Sequence, residues 1–296
     1  MHGMQEVRGS IPRSSTTYCG IKKSRCRNAA AFFMSFLHFT RSLAPRQASF
    51  NCISGKVFCD DNPLYKNSNE TDFMEHFDDI YRRACERHGG EAALNALIAS
   101  PLATDTELTA IPDDRWLSSF TMSLFQSGFV HKVIRNKWPE FERAFFGFDP
   151  EKMLLLDERH FERLNNDTTI VRHAKKIATL PANARMVLEL GREHGGFGAF
   201  VAQWPKDDII GLWLTIKQHG QLLGGNIGPY ALRRLGVDTF AFTGDVTAYL
   251  RHHEVVSAGL GSKTGMQQAQ AAFNEWRRQS GFSLTEISKT IAFSID

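Results

Sequence analysis

The chain has 296 residues, 42% of them hydrophobic, which is enough apolar material for one sizeable core or two small ones. Its five cysteines exclude a disulfide framework, because Cys19, Cys26, Cys52 and Cys59 crowd the first 73 residues and only Cys85 follows, a pattern of a reducing, cytoplasmic compartment. The formal net charge of +3 divides unevenly: residues 1–73 hold 10 Lys and Arg against 5 Asp and Glu, so the remainder is close to neutral and any polyanion must be held by local contacts.

Residues 1–73 read as an N-terminal extension without a core. Up to Asp60 the only acidic residue is Glu6, and Arg, Lys, Ser and Thr recur with neither helical nor strand periodicity. The run Ala29 to Phe39 after Lys22, Lys23, Arg25 and Arg27 imitates a signal or transit peptide, but it is too short to span a bilayer. The reading preferred over targeting is a start assigned too far upstream, with translation beginning near Met74, because Val7 to Ser15 looks like a translated transfer-RNA gene. The four early cysteines have no compact ligand spacing, so no metal site is expected.

From residue 74 to 296 the chain reads as one all-α domain. Phe77, Ile80, Tyr81 and Ala84 recur at helical spacing before Gly89-Gly90, predicting a helix over 74–88. Further helices are predicted over 113–127, 139–146, 151–156, 158–165, 169–190 and 207–219. After a glycine-rich break come 229–235, 245–253, 263–279 and 284–292. Asp113, Asp149 ahead of Pro150, Asp157 and Ser283 are the predicted N-caps. The run Phe240 to Phe242 looks extended, with no evident pairing partner.

Leu222 to Gly236 (LLGGNIGPYALRRLG) reads as a helix running into a glycine turn and a second helix starting at Pro229, a helix-hairpin-helix element. Gly225, Asn226 and Gly228 would let the backbone approach a phosphate, with the free N–H groups of the second helix holding the anion. The plainer alternative is an ordinary tight connection. Asp245, seventeen residues beyond Gly228, resembles in its distance from the hairpin the catalytic carboxylate of the helix-hairpin-helix DNA glycosylase superfamily, a resemblance that implies stabilisation of positive charge on a sugar and orientation of water; the alternative is the N-cap of the helix that follows.

Several stretches occur in the order found in 3-methyladenine DNA glycosylase I: FQSG at 125–128, FFGFDP at 145–150, FERLNND at 161–167, IVRHAKKI at 170–177, Asn183-Ala184, 196–204, LRRLG at 232–236, Phe242-Thr243-Gly244 and Tyr249. The chain resembles that family from about Trp116 to Tyr249. The resemblance implies a helix-hairpin-helix glycosylase fold and removal of alkylated bases from damaged duplex DNA by hydrolysis, with no cofactor, by a monomer that has no membrane attachment. The chain departs from the family at Ser123 and His131, where the pocket glutamate and tryptophan stand. It lacks cysteines for the family's zinc site, and it carries an acid at 245 where typical members have none.

An extruded base needs aromatic faces and a few polar groups to read its edge. The expected pocket set is Trp116, Ser123, Phe125, Gln126, Phe129, His131 and Trp138, although Phe125 and Phe129, one helical turn apart, also suit a core. Arg172 and Lys176 are expected to touch phosphate. No lysine stands in the hairpin, which disfavours a Schiff-base route and points to a monofunctional enzyme. The alternatives are a glycosylase for another modified base and a DNA-binding module that has lost its chemistry.

Overall fold

The computed structural model describes residues 74–295. The readings of residues 1–73, including the four early cysteines, lie outside the described residues. Within them the chain is helical throughout, with no strand.

Helix α1 (Phe77–Arg87) buries Phe77, Ile80 and Ala84 and ends at Gly89 and Gly90, whose φ values of 84° and 98° only glycine adopts at little cost. Helices α2 (Glu91–Ile98) and α3 (Asp105–Ala110) were not legible in the sequence, although α3 opens with a capping box between Thr104 and Glu107. Helix α4 (Asp113–Gln126) is the central element and is buried along most of its length. Helix α5 (His131–Ala144) starts eight residues before the predicted boundary at Pro139. The proline sits inside it, exposed, and removes one backbone hydrogen bond without ending the helix.

Helix α6 (Pro150–Leu154) is capped by Asp149 and α7 (Glu158–Asn166) by Asp157, as the local sequence requires. The single helix expected over 169–190 is two, α8 (Ala174–Ile177) and α9 (Leu180–Gly191), with Pro181 in the first turn of α9. Helix α10 (Phe197–Ala202) packs so closely on α3 that a Cβ on Gly198 would fall 2.2 Å from the Leu108 carbonyl. Asp113 is not a cap of α4, whose N-cap is Pro112. Its Oδ1 instead accepts from the Phe197 backbone N–H at 2.8 Å, at the start of α10.

Helices α11 (Ile209–His219), α12 (Ile227–Arg234), α13 (Gly244–His252), α14 (Lys263–Ser280) and α15 (Leu284–Ser294) complete the order. The core joins Trp116, Phe120 and Phe197 to Phe240, Phe273, Trp276 and Tyr249. Each such ring contributes about 2–3 kcal/mol by burial. The extended run 239–242 finds partners after all. Thr285 pairs with the Thr239 backbone, Ser288 accepts from Ala241 N–H, and Asn226 pairs with Phe242. Side chains from α15 and the hairpin thus do the work of a neighbouring strand.

Candidate active site

Two asparagines set the hairpin between α11 and α12. The buried Asn183 of α9 accepts from Gln221 N–H at 2.7 Å and donates to the Gln221 carbonyl at 3.3 Å. Asn226, the N-cap residue of α12, donates from Nδ2 to the Phe242 carbonyl at 2.7 Å and accepts from Phe242 N–H at 3.0 Å. The turn between them reaches φ 61° at Gly225, where a Cβ would meet nothing, and Gly228 is buried with the Leu223 carbonyl 3.3 Å from where its Cβ would stand. The second helix begins at Ile227, two residues before the predicted Pro229. The turn therefore presents the Gly224–Ile227 backbone at the edge of a cleft.

That cleft, of about 730 Å³, lies between the end of α4, the start of α5 and the hairpin, and is lined by Ser123, Gln126, Ser127, His131, Arg135, Tyr230, Arg233 and Arg234 with Gly224 to Ile227. Arg234 dominates its polar surface. It donates to Gln126 Oε1 at 2.6 Å, to Ser123 Oγ at 2.8 Å and to the Ser119 carbonyl at 3.1 Å, all neutral acceptors. Because Gln126 Oε1 is occupied, its amide N–H₂ is the end left for a ligand. Arg233 donates to the Thr239 carbonyl from Nε and Nη2, and Arg135 makes no hydrogen bond or ion pair among the described residues. No carboxylate lines the cleft. Desolvation lowers the pKa of both Arg233 and Arg234, the second also through Arg135, yet guanidinium groups stay charged, so the cleft is positive. Arg234 is reached by solvent while protein surrounds it on the cleft walls.

The expected pocket residues separate into two groups. Ser123, Gln126 and His131 meet in the cleft beside Gly225 and Asn226. Trp116 does not: it is fully buried, with Nε1 donating to the Ile111 carbonyl at 3.3 Å. Phe125 is likewise buried, edge-on to Phe141, and Trp138 stacks between Phe141 and Phe148 with its indole N–H shared by Ser118 and Glu142. Phe129 is partly exposed against His173 and the Lys176 ammonium, outside the cleft lining.

Of the expected phosphate contacts, Lys176 is buried and donates from Nζ to the carbonyls of Leu124, at 2.8 Å, and Ser127, where it neutralises the negative end of α4, and burial lowers its pKa. Arg172 is exposed ahead of α8 rather than within a helix, and it has no partner among the described residues. Asp245 is exposed in the first turn of α13 and makes no hydrogen bond among the described residues. The N-cap is Thr243, whose Oγ1 accepts from Val246 N–H at 3.2 Å, so the reading of Asp245 as the cap is corrected. Asp245 stands three residues beyond the Phe242 clamp and does not line the cleft. Arg234, Arg135 and Tyr230 were missed in the sequence. The LRRLG run holding Arg234 was visible, but nothing local says which arginine turns inward.

The methyladenine glycosylase family model matches residues 108–251, which contain every cleft residue and Asp245. DNA-3-methyladenine glycosylase 1 of Escherichia coli K12 is 33% identical over 76 residues, a match that spans 26% of this chain and 41% of that relative's length. Two solved structures align over about half of this chain and 91% of their own. One is a variant 3-methyladenine DNA glycosylase I in complex with 3-methyladenine, at 19% identity and TM-score 0.40. The other is the Staphylococcus aureus 3-methyladenine DNA glycosylase I, at 21% and 0.40.

The described residues hold no group of His, Cys, Asp and Glu side chains suited to a metal ion, and no helix among them is long and apolar enough to cross a membrane.

Proposed function

We infer that this chain is a monofunctional DNA glycosylase that hydrolyses the N-glycosidic bond of alkylated bases of the 3-methyladenine kind in damaged duplex DNA. The observation that carries the reading is the juxtaposition of a polar cleft, lined by Ser123, Gln126 and Arg234, with a glycine turn at the start of α12. A flipped base would enter the cleft while the flanking phosphate rests on the backbone N–H groups of 225–228, a contact needing no lysine. Arg135 at the cleft wall would add charge. Tyr230, about two-fifths exposed at the cleft wall, offers a face for stacking.

Cleavage breaks the bond from the sugar C1′ to the base nitrogen. An alkylated purine nucleoside already carries positive charge, so its base leaves neutral and water adds to C1′. Asp245 is the carboxylate assigned to stabilising the cationic sugar and orienting that water, reached when DNA seats on the hairpin. With no lysine from 224 to 234, no covalent route through an amine is expected.

The absence of a carboxylate from the cleft favours the second reading, a DNA-binding module without chemistry. Base release from methylated duplex DNA separates the two: free 3-methyladenine and an abasic site support the glycosylase. Binding without release of any base supports the module.

A further inference from the structure

The cleft's charge raises a question that the family segment does not answer. A cationic alkylated base needs a negative partner or at least a neutral pocket, whereas Arg135 and Arg234 bring guanidinium groups to this cleft, which has no acidic residue among its lining. Donors at the Arg234 end of the cleft face a ligand: the Gln126 amide N–H₂, whose oxygen is taken by Arg234, and the guanidinium group itself. Ser123 Oγ accepts from Arg234 and so has its hydroxyl hydrogen left to give. Such a surface is complementary to a base edge that presents acceptors and carries no positive charge.

We propose that, besides alkylated bases, the cleft takes hypoxanthine, the neutral purine with a ring carbonyl that forms when adenine is deaminated, and releases it from DNA with Arg234 as the group that reads and activates the base. The inference rests on the glycosylase reading above. A neutral purine differs from an alkylated one in its departure. When the bond from C1′ to the ring nitrogen breaks, the electron pair leaves with the base, which would become an anion. Its negative charge spreads onto the carbonyl oxygen and ring nitrogens, where Arg234 and Gln126 donate. Water adds to C1′ and loses a proton to solvent, and the base takes up a proton, so a sugar hydroxyl and a neutral free base result. A fixed cation aimed at the place where negative charge develops is most effective in such a partly dry cleft.

The geometry specifies Arg234 rather than its neighbours. Arg233 is turned to the Thr239 carbonyl, and Arg135 makes no hydrogen bond or ion pair among the described residues. Three neutral acceptors, Ser119, Ser123 and Gln126, fix the Arg234 fork while leaving its charge uncompensated. In a glycosylase for cationic bases alone, an uncompensated guanidinium on the pocket floor would work against binding.

The test uses the full chain with two substrates in parallel: a duplex oligonucleotide containing one hypoxanthine, and methylated duplex DNA read for free 3-methyladenine. The parent is expected to release both bases. Arg234→Met is expected to lower the ratio of hypoxanthine to 3-methyladenine release by about a hundredfold. If Arg234→Met does not fold, Ser123→Glu supplies the same reading, because a carboxylate beside Arg234 neutralises it and should move the ratio in the same direction. Release of 3-methyladenine but never hypoxanthine overturns this inference and leaves the glycosylase intact. An unchanged ratio in the folded variants overturns the assignment to Arg234. DNA binding with release of neither base overturns the glycosylase reading and this inference with it.

Discussion

Asn226→Ala removes both hydrogen bonds that tie the start of α12 to Phe242, at 2.7 and 3.0 Å. Each is worth about 1 kcal/mol net, and a backbone group left dry and unpaired costs about 1–3 kcal/mol. Phe242 is only half-buried, so water reaches the freed N–H and carbonyl and the total should be near 2 kcal/mol, the lower end of that range. For a folded unit of this size a loss of that order lowers Tm by about 4–8 °C. Urea unfolding followed by circular dichroism measures the loss directly, and duplex DNA titration of the same protein reads the turn. Affinity should fall whatever lesion the duplex carries, because the hairpin backbone is no longer held against the 239–242 run. Asn226→Asp provides a control: it keeps the acceptor for Phe242 N–H but sets a carboxylate oxygen against the Phe242 carbonyl, so it should be no better than alanine. A loss below about 0.5 kcal/mol for Asn226→Ala, with DNA affinity unchanged, would refute the clamp.

Asp245→Asn should leave stability nearly unchanged, since Thr243 caps α13, while base release falls by about a hundredfold; full activity in a base-release assay would end the catalytic assignment. Thr243→Ala should instead lose about 1 kcal/mol in chemical unfolding. Gly225→Ala should cost about 1 kcal/mol for its φ of 61° and no more, because open space surrounds the new methyl group, and the variant should bind duplex DNA more weakly in titration. Residues 74–296 expressed alone should fold with the thermal midpoint of the full chain, and a truncated protein that unfolds or aggregates would contradict this. Burial raises the pKa of Glu75, but hydrogen bonds from Arg83 and Tyr249 outweigh it and hold the group below 4.5. The stability it contributes is therefore fully present above about 4.5 and is lost as pH falls through the lower folded value, so Glu75→Gln should flatten the acid limb of a stability-versus-pH curve.

Local codes made much of the helical order legible. Asp149 before Pro150, Asp157 and Ser283 cap helices in the structure because a cap is satisfied within three residues of chain. Phe77, Ile80 and Ala84 likewise announce their buried face by spacing alone. Codes of that range could not reveal α10, whose Gly198 weakens the helix locally and is explained only by the approach of Leu108 from ninety positions earlier. Pro139, a helix start by local rules, lies inside α5 because packing of Ile134 and Phe141 holds the helix on both sides of it.

The site divides along the same line. The order of Ser123, Gln126, His131, Gly225 and Asn226 was readable from motif and spacing, and these residues do converge on one cleft. The sequence did not decide which aromatic and basic side chains join them. Trp116, Phe125 and Trp138 turn into the core, Lys176 turns onto the carbonyl end of α4, and Arg234 turns into the cleft. A helix places a new side chain every hundred degrees or so, and which of those directions meets protein and which meets a cleft depends on where the neighbouring helices cross. Arg233 and Arg234 are adjacent and chemically identical. Only the position of α12 between the 239–242 run and α4 sends one to a backbone carbonyl and the other to the floor of the site.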